Sequence, residues 1–182
     1  VAGLELPASV AEGAVRLQAE WSALNQGVVA CPVDVERLMD RHHWIISEAP
    51  RLAPYQAVGV ISPGDGLRRL VLDRQLSSAS RRAAIAYFLL HELRGQYGAL
   101  RLRWPIHRGA LVYDPAAIRA LTSLLVPASA WRARTITDLA EICDIPIDLA
   151  GWAVRWMPEP VRSRFTDNWV TFRFTGGAAC GD

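Results

Sequence analysis

Residues Asp73 to Gly95 read DRQLSSASRRAAIAYFLLHELRG, and the reading of this stretch decides the fold. It begins where a β-rich run, Leu70 to Leu72, gives out, and it passes Ser77 and Ser78, either of which can cap a helix. A long helix is predicted from about Ala79 to Gly98. Working towards the amino terminus, Ala57 to Ile61 is a second β-rich run, parted from the first by Pro63, Gly64, Asp65 and Gly66. That is hairpin chemistry, because proline presets the turn and glycine supplies positive φ. Trp44 to Ile46 is a third such run. Before it, Val33 and Asp34 look like a staple and N-cap for a short helix that turns Val35, Leu38 and Met39 inward and ends near His42 and His43. Earlier still, Val10, Ala14, Leu17, Trp21 and Leu24 recur at helical spacing, predicting an amphipathic helix over about 9–25 that Gly27 ends.

Towards the carboxyl terminus, a helix is predicted from Pro115 to Leu125, before Pro127. Asp138 to Cys143 and Asp148 to Trp156, joined by a turn at Ile145 and Pro146, make a helical pair with the outline of a helix-turn-helix. Trp169 to Phe174 alternates like a strand, and a glycine-rich end follows. The expected class is α+β, with a three-stranded sheet, a long motif helix and a C-terminal helical pair. The expected divisions are an N-terminal helical extension over 1–30, a main domain over 31–160 that includes the pair at 138–156, and a tail over 161–182.

The chemistry lies in the long helix. An HExxH pattern binds Zn²⁺ because residues four apart share a helix face, so both histidines reach the metal while the glutamate takes a proton from bound water. His91, Glu92 and Leu93 begin that pattern, but Gly95 stands where the second histidine belongs. Tyr87, His91 and Gly95, spaced by four, line one face that retains one histidine.

The framework around this helix resembles the ImmA/IrrE family of zinc metallopeptidases, in which a strand with an asparagine-like end, a capped turn and two arginines precede HExxH. Leu70 to Asp73 is similar to that strand, Leu76 and Ser77 to the cap, and Arg81 to Ala86 to the start of the helix. In that register the family's histidines fall on Tyr87 and His91 and its glutamate on Phe88, so the HEL of residues 91 to 93 is displaced by one turn. Asp114 to Pro127 resembles the segment that carries the family's third ligand, a glutamate, which puts Asp114 at the ligand position with a side chain one methylene shorter. The resemblance runs from about Cys31 to Trp156. It implies a small zincin-like domain, of a kind whose members cleave DNA-binding repressors, with a cleft lined by Tyr87, His91, Gly95 and Asp114. If metal is bound, His91 and Asp114 are the expected ligands, with His107, on the loop between the motif helix and Asp114, as a possible substitute, and Glu92 of the HEL pattern is the catalytic base only if the protein is active.

Losing one of four ligands from a site worth roughly 10 to 16 kcal/mol costs on the order of 3 to 4 kcal/mol, or about 100- to 1,000-fold in affinity. The expectation is therefore a degenerate, non-catalytic member of the fold, with no cofactor, that binds a regulatory protein partner or small ligand in the former active-site cleft. The resemblance points to a transcriptional repressor as one such partner. The competing readings are an active zinc-dependent endopeptidase that cleaves a repressor, with Zn as cofactor, and a DNA-binding regulator acting through the helical pair.

Composition bounds these readings. The 182 residues are 51% hydrophobic and 21% charged, enough for one filled core. All 20 basic residues are arginine, and a net charge of +2 gives no electrostatic reason to expect nucleic acid. Arg162, Arg164 and Arg173 are too sparse for a phosphate footprint. Cys31, Cys143 and Cys180 are odd in number and widely spaced, which argues against a disulfide framework or a cysteine zinc site and for a reducing compartment. No apolar run approaches the roughly 20 residues of a bilayer span, and the amino terminus shows no basic segment followed by an apolar one, so a soluble cytoplasmic protein is expected. Adjacent His42 and His43 cannot easily face one metal, and are read as structural or surface residues. The seven tryptophans are read as core, and Glu92 in the absence of metal as a partner for an arginine such as Arg94 or Arg101.

Overall fold

A computed structural model describes residues 10–28, 30–52, 56–61, 67–93, 98–102 and 115–166. Helix α1, Val10–Leu24, turns Ala14, Leu17 and Trp21 into the core at the predicted spacing. Helix α2, Val35–Arg41, starts as its sequence predicts: the Asp34 side chain accepts a hydrogen bond from the Arg37 N–H at 3.0 Å. It buries Val35, Leu38 and Met39. Strands β1 (Ile45–Ala49), β2 (Ala57–Ile61) and β3 (Arg68–Asp73) follow. The turn predicted at residues 63 to 66 lies outside the described residues.

Helix α3, Ser78–Leu93, is the predicted motif helix, with Ser77 Oγ accepting the Ser80 N–H at 3.2 Å to satisfy a donor of the first turn. It is shorter than expected. Gly98 is not its last residue but the first of a fourth strand, β4 (Gly98–Leu102), entered with φ +105°. Only glycine adopts that backbone without penalty, and a helix cannot run through it. Among the described residues the sheet therefore has four strands, not three, in the order β1-β3-β2-β4. β2 pairs antiparallel with β3, Ala57 opposite Leu72 and Ile61 opposite Arg68, as a hairpin requires. β4 extends the sheet antiparallel to β2, whereas β1 runs parallel to β3.

Helix α3 lies close on this sheet. A Cβ built on Gly59 of β2 would fall 2.5 Å from the Phe88 ring, so glycine is what permits the approach. On its other sides α3 meets α1, α2 and α4 (Pro115–Leu125). The C-terminal pair, α5 (Ile136–Cys143) and α6 (Ile147–Trp156), buries Ile136, Leu139, Cys143, Leu149, Ala150 and Val154 in the same core cluster. Helix α6 packs on α4, and a short α7, Glu159–Arg162, follows. The architecture is mixed α+β, with seven α-helices and a four-stranded sheet among the described residues. The strand predicted at Trp169 to Phe174 lies outside them. No helix among the described residues is long and apolar enough to cross a membrane.

Candidate functional site

The strand–turn–helix framework that carries the motif is built by short-range bonds. Asp73 closes β3 and turns the chain: Oδ1 accepts the Gln75 N–H at 2.9 Å and Oδ2 the Leu52 N–H at 3.1 Å. These two donors, aided by Arg51, hold its carboxyl below the usual carboxylate range. The paired arginines at the start of α3 act as staples. Arg81 reaches Glu36 of α2 at 2.7 Å and Glu48 of β1 at 2.8 Å. Arg82 donates to the Val33 carbonyl and lies 3.3 Å from Asp144, at the end of α5.

Two adjacent stripes of α3 then present the motif residues. On one, Tyr87 and His91 sit four apart with ring centroids at 4.2 Å, both half-buried. The shared face predicted from their spacing is present as far as Leu93. Gly95, His107 and Asp114 lie outside the described residues, so the predicted cleft is described only at Tyr87 and His91. Of the predicted metal ligands His91 is the one described, and among the described residues no three His, Cys, Asp or Glu side chains converge as a metal site.

On the second stripe, Phe88 and Glu92 face inward. Phe88 meets Gly59 and stands 6.3 Å from the Trp44 ring. Glu92 follows one turn later, with a side chain only 9% exposed. Its Oε1 takes the Arg68 Nε–H from β3, and its Oε2 accepts the Trp44 indole N–H at 2.5 Å. His42 Nδ1 lies 4.0 Å from the same Oε2, and its Nε2 lies 3.0 Å from Glu20 of α1. Glu92 is thus the centre of an interior polar cluster that joins α1, the end of α2, the start of the sheet, β3 and α3. Its arginine partner among the described residues is Arg68 on β3, while Arg94 and the Arg101 side chain lie outside them.

Such a cluster follows from burial. A carboxylate removed from water is tolerated only when it is paired and hydrogen-bonded, and here each oxygen has a donor. A general base, by contrast, must hold an oxygen towards metal-bound water. Adjacent His42 and His43 diverge, as expected: His42 turns into the cluster, while His43 is exposed on a backbone with φ +57°.

Elsewhere, a cavity of about 270 Å³ opens between α1, α4 and α6, with Gln18, Ser123, Val126, Trp131, Trp156 and Met157 among its walls. No residue of α3 lines it, so it is separate from the motif face. In α6, Trp152 and Trp156 stack at 5.2 Å, and Arg155 lies over Trp152.

Two features had no signal in the linear sequence. Arg68 stands 24 residues from Glu92. The Cys31 and Cys143 sulphurs, 112 residues apart in the chain, lie 3.1 Å from each other. No family model matches the chain, and no curated protein matches it at a significant level.

Proposed function

We propose that this chain works without catalysis, as an α+β domain resembling the ImmA/IrrE metallopeptidases whose motif helix has become a structural and recognition element. The observation that carries the reading is the environment of Glu92. Glu92, the base position if the HEL of residues 91 to 93 begins the motif, is buried and accepts hydrogen bonds from Arg68 and Trp44, so it serves the packing of α3 on the sheet. In the family's register that position is Phe88, which has no base to offer. Beside it, the Tyr87–His91 face keeps an aromatic ring and an imidazole, groups suited to holding a protein segment or small ligand by stacking and hydrogen bonding. The resemblance suggests a regulatory protein of the repressor class as partner, in the cytoplasm. Acidic residues disfavour nucleic acid at the helical pair: over residues 136 to 156 the chain carries Asp138, Glu141, Asp144 and Asp148 against Arg155, a poor surface for phosphates.

The test is a comparison of wild type with Glu92→Gln in the presence of added Zn²⁺, using a broad mixture of fluorogenic peptides and repressor-type proteins as substrates. The expected result is no hydrolysis above background by either. Turnover by wild type that falls by about 10² or more in Glu92→Gln would establish the peptidase instead.

A further inference from the structure

Cys31 lies in the connection between α1 and α2, and Cys143 is the last residue of α5. Their segments are held together by groups beside the thiols. Arg82 donates to the carbonyl of Val33, two residues after Cys31, and pairs at 3.3 Å with the carboxylate of Asp144, the residue after Cys143. Ser78 Oγ donates to the same Asp144 oxygen at 2.5 Å. One guanidinium thus ties the two segments together, with the two sulphurs 3.1 Å apart, where a small movement reaches the bonding distance of about 2 Å.

The two thiols are not equivalent. Cys31 is half-buried, whereas Cys143 is 0% exposed and belongs to the core. The hydrogen bond between the two thiols draws Cys31 below its ordinary range against the opposing effect of burial, and Arg82 and Arg132 add to the lowering. The same hydrogen bond and burial push Cys143 far up, so it keeps its proton. Reactive cysteines are the accessible ones in an electropositive setting, and here a second sulphur stands ready behind one.

We propose that Cys31 and Cys143 form a thiol redox site, in which a hydroperoxide oxidises Cys31 and Cys143 resolves it to an intramolecular disulfide joining the α1–α2 connection to the end of α5. In the first step the Cys31 thiolate attacks the terminal peroxide oxygen. The O–O bond breaks, the alcohol or water leaves, and Cys31 becomes a sulfenic acid. In the second, the Cys143 sulphur attacks the Cys31 sulphur. The S–S bond forms, the S–O bond breaks, and hydroxide leaves with the Cys143 proton as water. The two thiols together lose two electrons and two protons, which reduce one hydroperoxide to an alcohol and water. Disulfides in reducing compartments are usually transient or redox-sensing bonds of this kind.

The experiment uses the full chain with Cys180→Ser, so that two thiols remain. The folded protein is treated with a small excess of hydrogen peroxide at neutral pH, blocked with N-ethylmaleimide, digested without reductant and analysed by mass spectrometry. The expected product is a peptide linking Cys31 to Cys143, in a protein two hydrogens lighter, reverted by dithiothreitol. Adding Cys143→Ala should abolish the link and leave Cys31 as a sulfenic acid trapped by dimedone, and adding Cys31→Ser should leave Cys143 unoxidised. Should either variant fail to fold, the parent's linked peptide decides alone. The proposal is overturned if the parent accumulates oxidised Cys31 with Cys143 still free, or if both thiols survive peroxide that oxidises a small-molecule thiol.

Discussion

Replacing Glu92 with glutamine keeps the shape of the side chain and removes its charge, and the structure fixes what that costs. The carboxylate accepts from two donors, Arg68 Nε–H and the Trp44 indole N–H. Glutamine has one acceptor oxygen, and its NH₂ must then face the other donor. If the oxygen stays with Trp44, Arg68 loses a charged partner. The Arg68 side chain is 31% exposed, so water restores part of that loss, and its share is nearer the value of a surface pair than of a buried one. If the oxygen turns to Arg68 instead, the Trp44 N–H, in a residue 5% exposed, loses its acceptor at a cost of about 1–3 kcal/mol. The cheaper arrangement, with the oxygen kept on Trp44, wins, which sets the destabilisation at about 1 kcal/mol. Glu92→Ala, which removes both acceptors at once, should cost about 2–4 kcal/mol. Urea unfolding followed by tryptophan fluorescence reads the glutamine variant as a midpoint shift of about 0.5 M, at a slope of about 2 kcal/mol per molar. An unchanged midpoint for both variants would show that the carboxylate is not holding α3 to the sheet, and would return Glu92 to the list of groups available for chemistry.

Gly59→Ala places a Cβ 2.5 Å from the Phe88 ring and should destabilise by about 1–3 kcal/mol, with part recovered in a Gly59→Ala, Phe88→Leu double variant, as measured by a denaturation cycle. Recovery of nothing would mean that strand β2, not the ring contact, sets the cost. Asp73 has a folded-state pKa depressed by its two backbone donors, so its contribution is present at neutral pH. That contribution is lost as pH falls through the depressed value. The stability gap between wild type and Asp73→Asn should therefore close on acidification below the usual carboxylate range, and a gap that is constant with pH would remove Asp73 from the turn's electrostatics.

The helices were legible because their signals are local. The spacing of Ala14, Leu17 and Trp21, the Asp34 cap and the Ser77 cap each act within one or two turns, and each appears where the sequence puts it. The hairpin of β2 and β3 was legible from its turn residues. β4 was not. Gly98 follows an apolar helix by a few residues, and a residue in a left-handed backbone looks, in sequence, like a helix end. What makes Gly98–Leu102 a strand is the open edge of β2, a partner about 40 residues upstream. The same limit applies to the site. Helical periodicity groups Tyr87 with His91 and Phe88 with Glu92, but only the packing of Phe88 on Gly59 shows that the second stripe faces inward. Once it does, Glu92 needs donors, and Arg68 and Trp44 supply them from elements no local pattern connects.

Zinc content tests the central claim most directly. Protein purified without chelators, equilibrated with Zn²⁺ and gel-filtered, should carry well under one equivalent by elemental analysis, and that amount should be the same in His91→Ala. One zinc per chain, lost on His91→Ala or Asp114→Ala, would contradict the account and make this helix a working metal site.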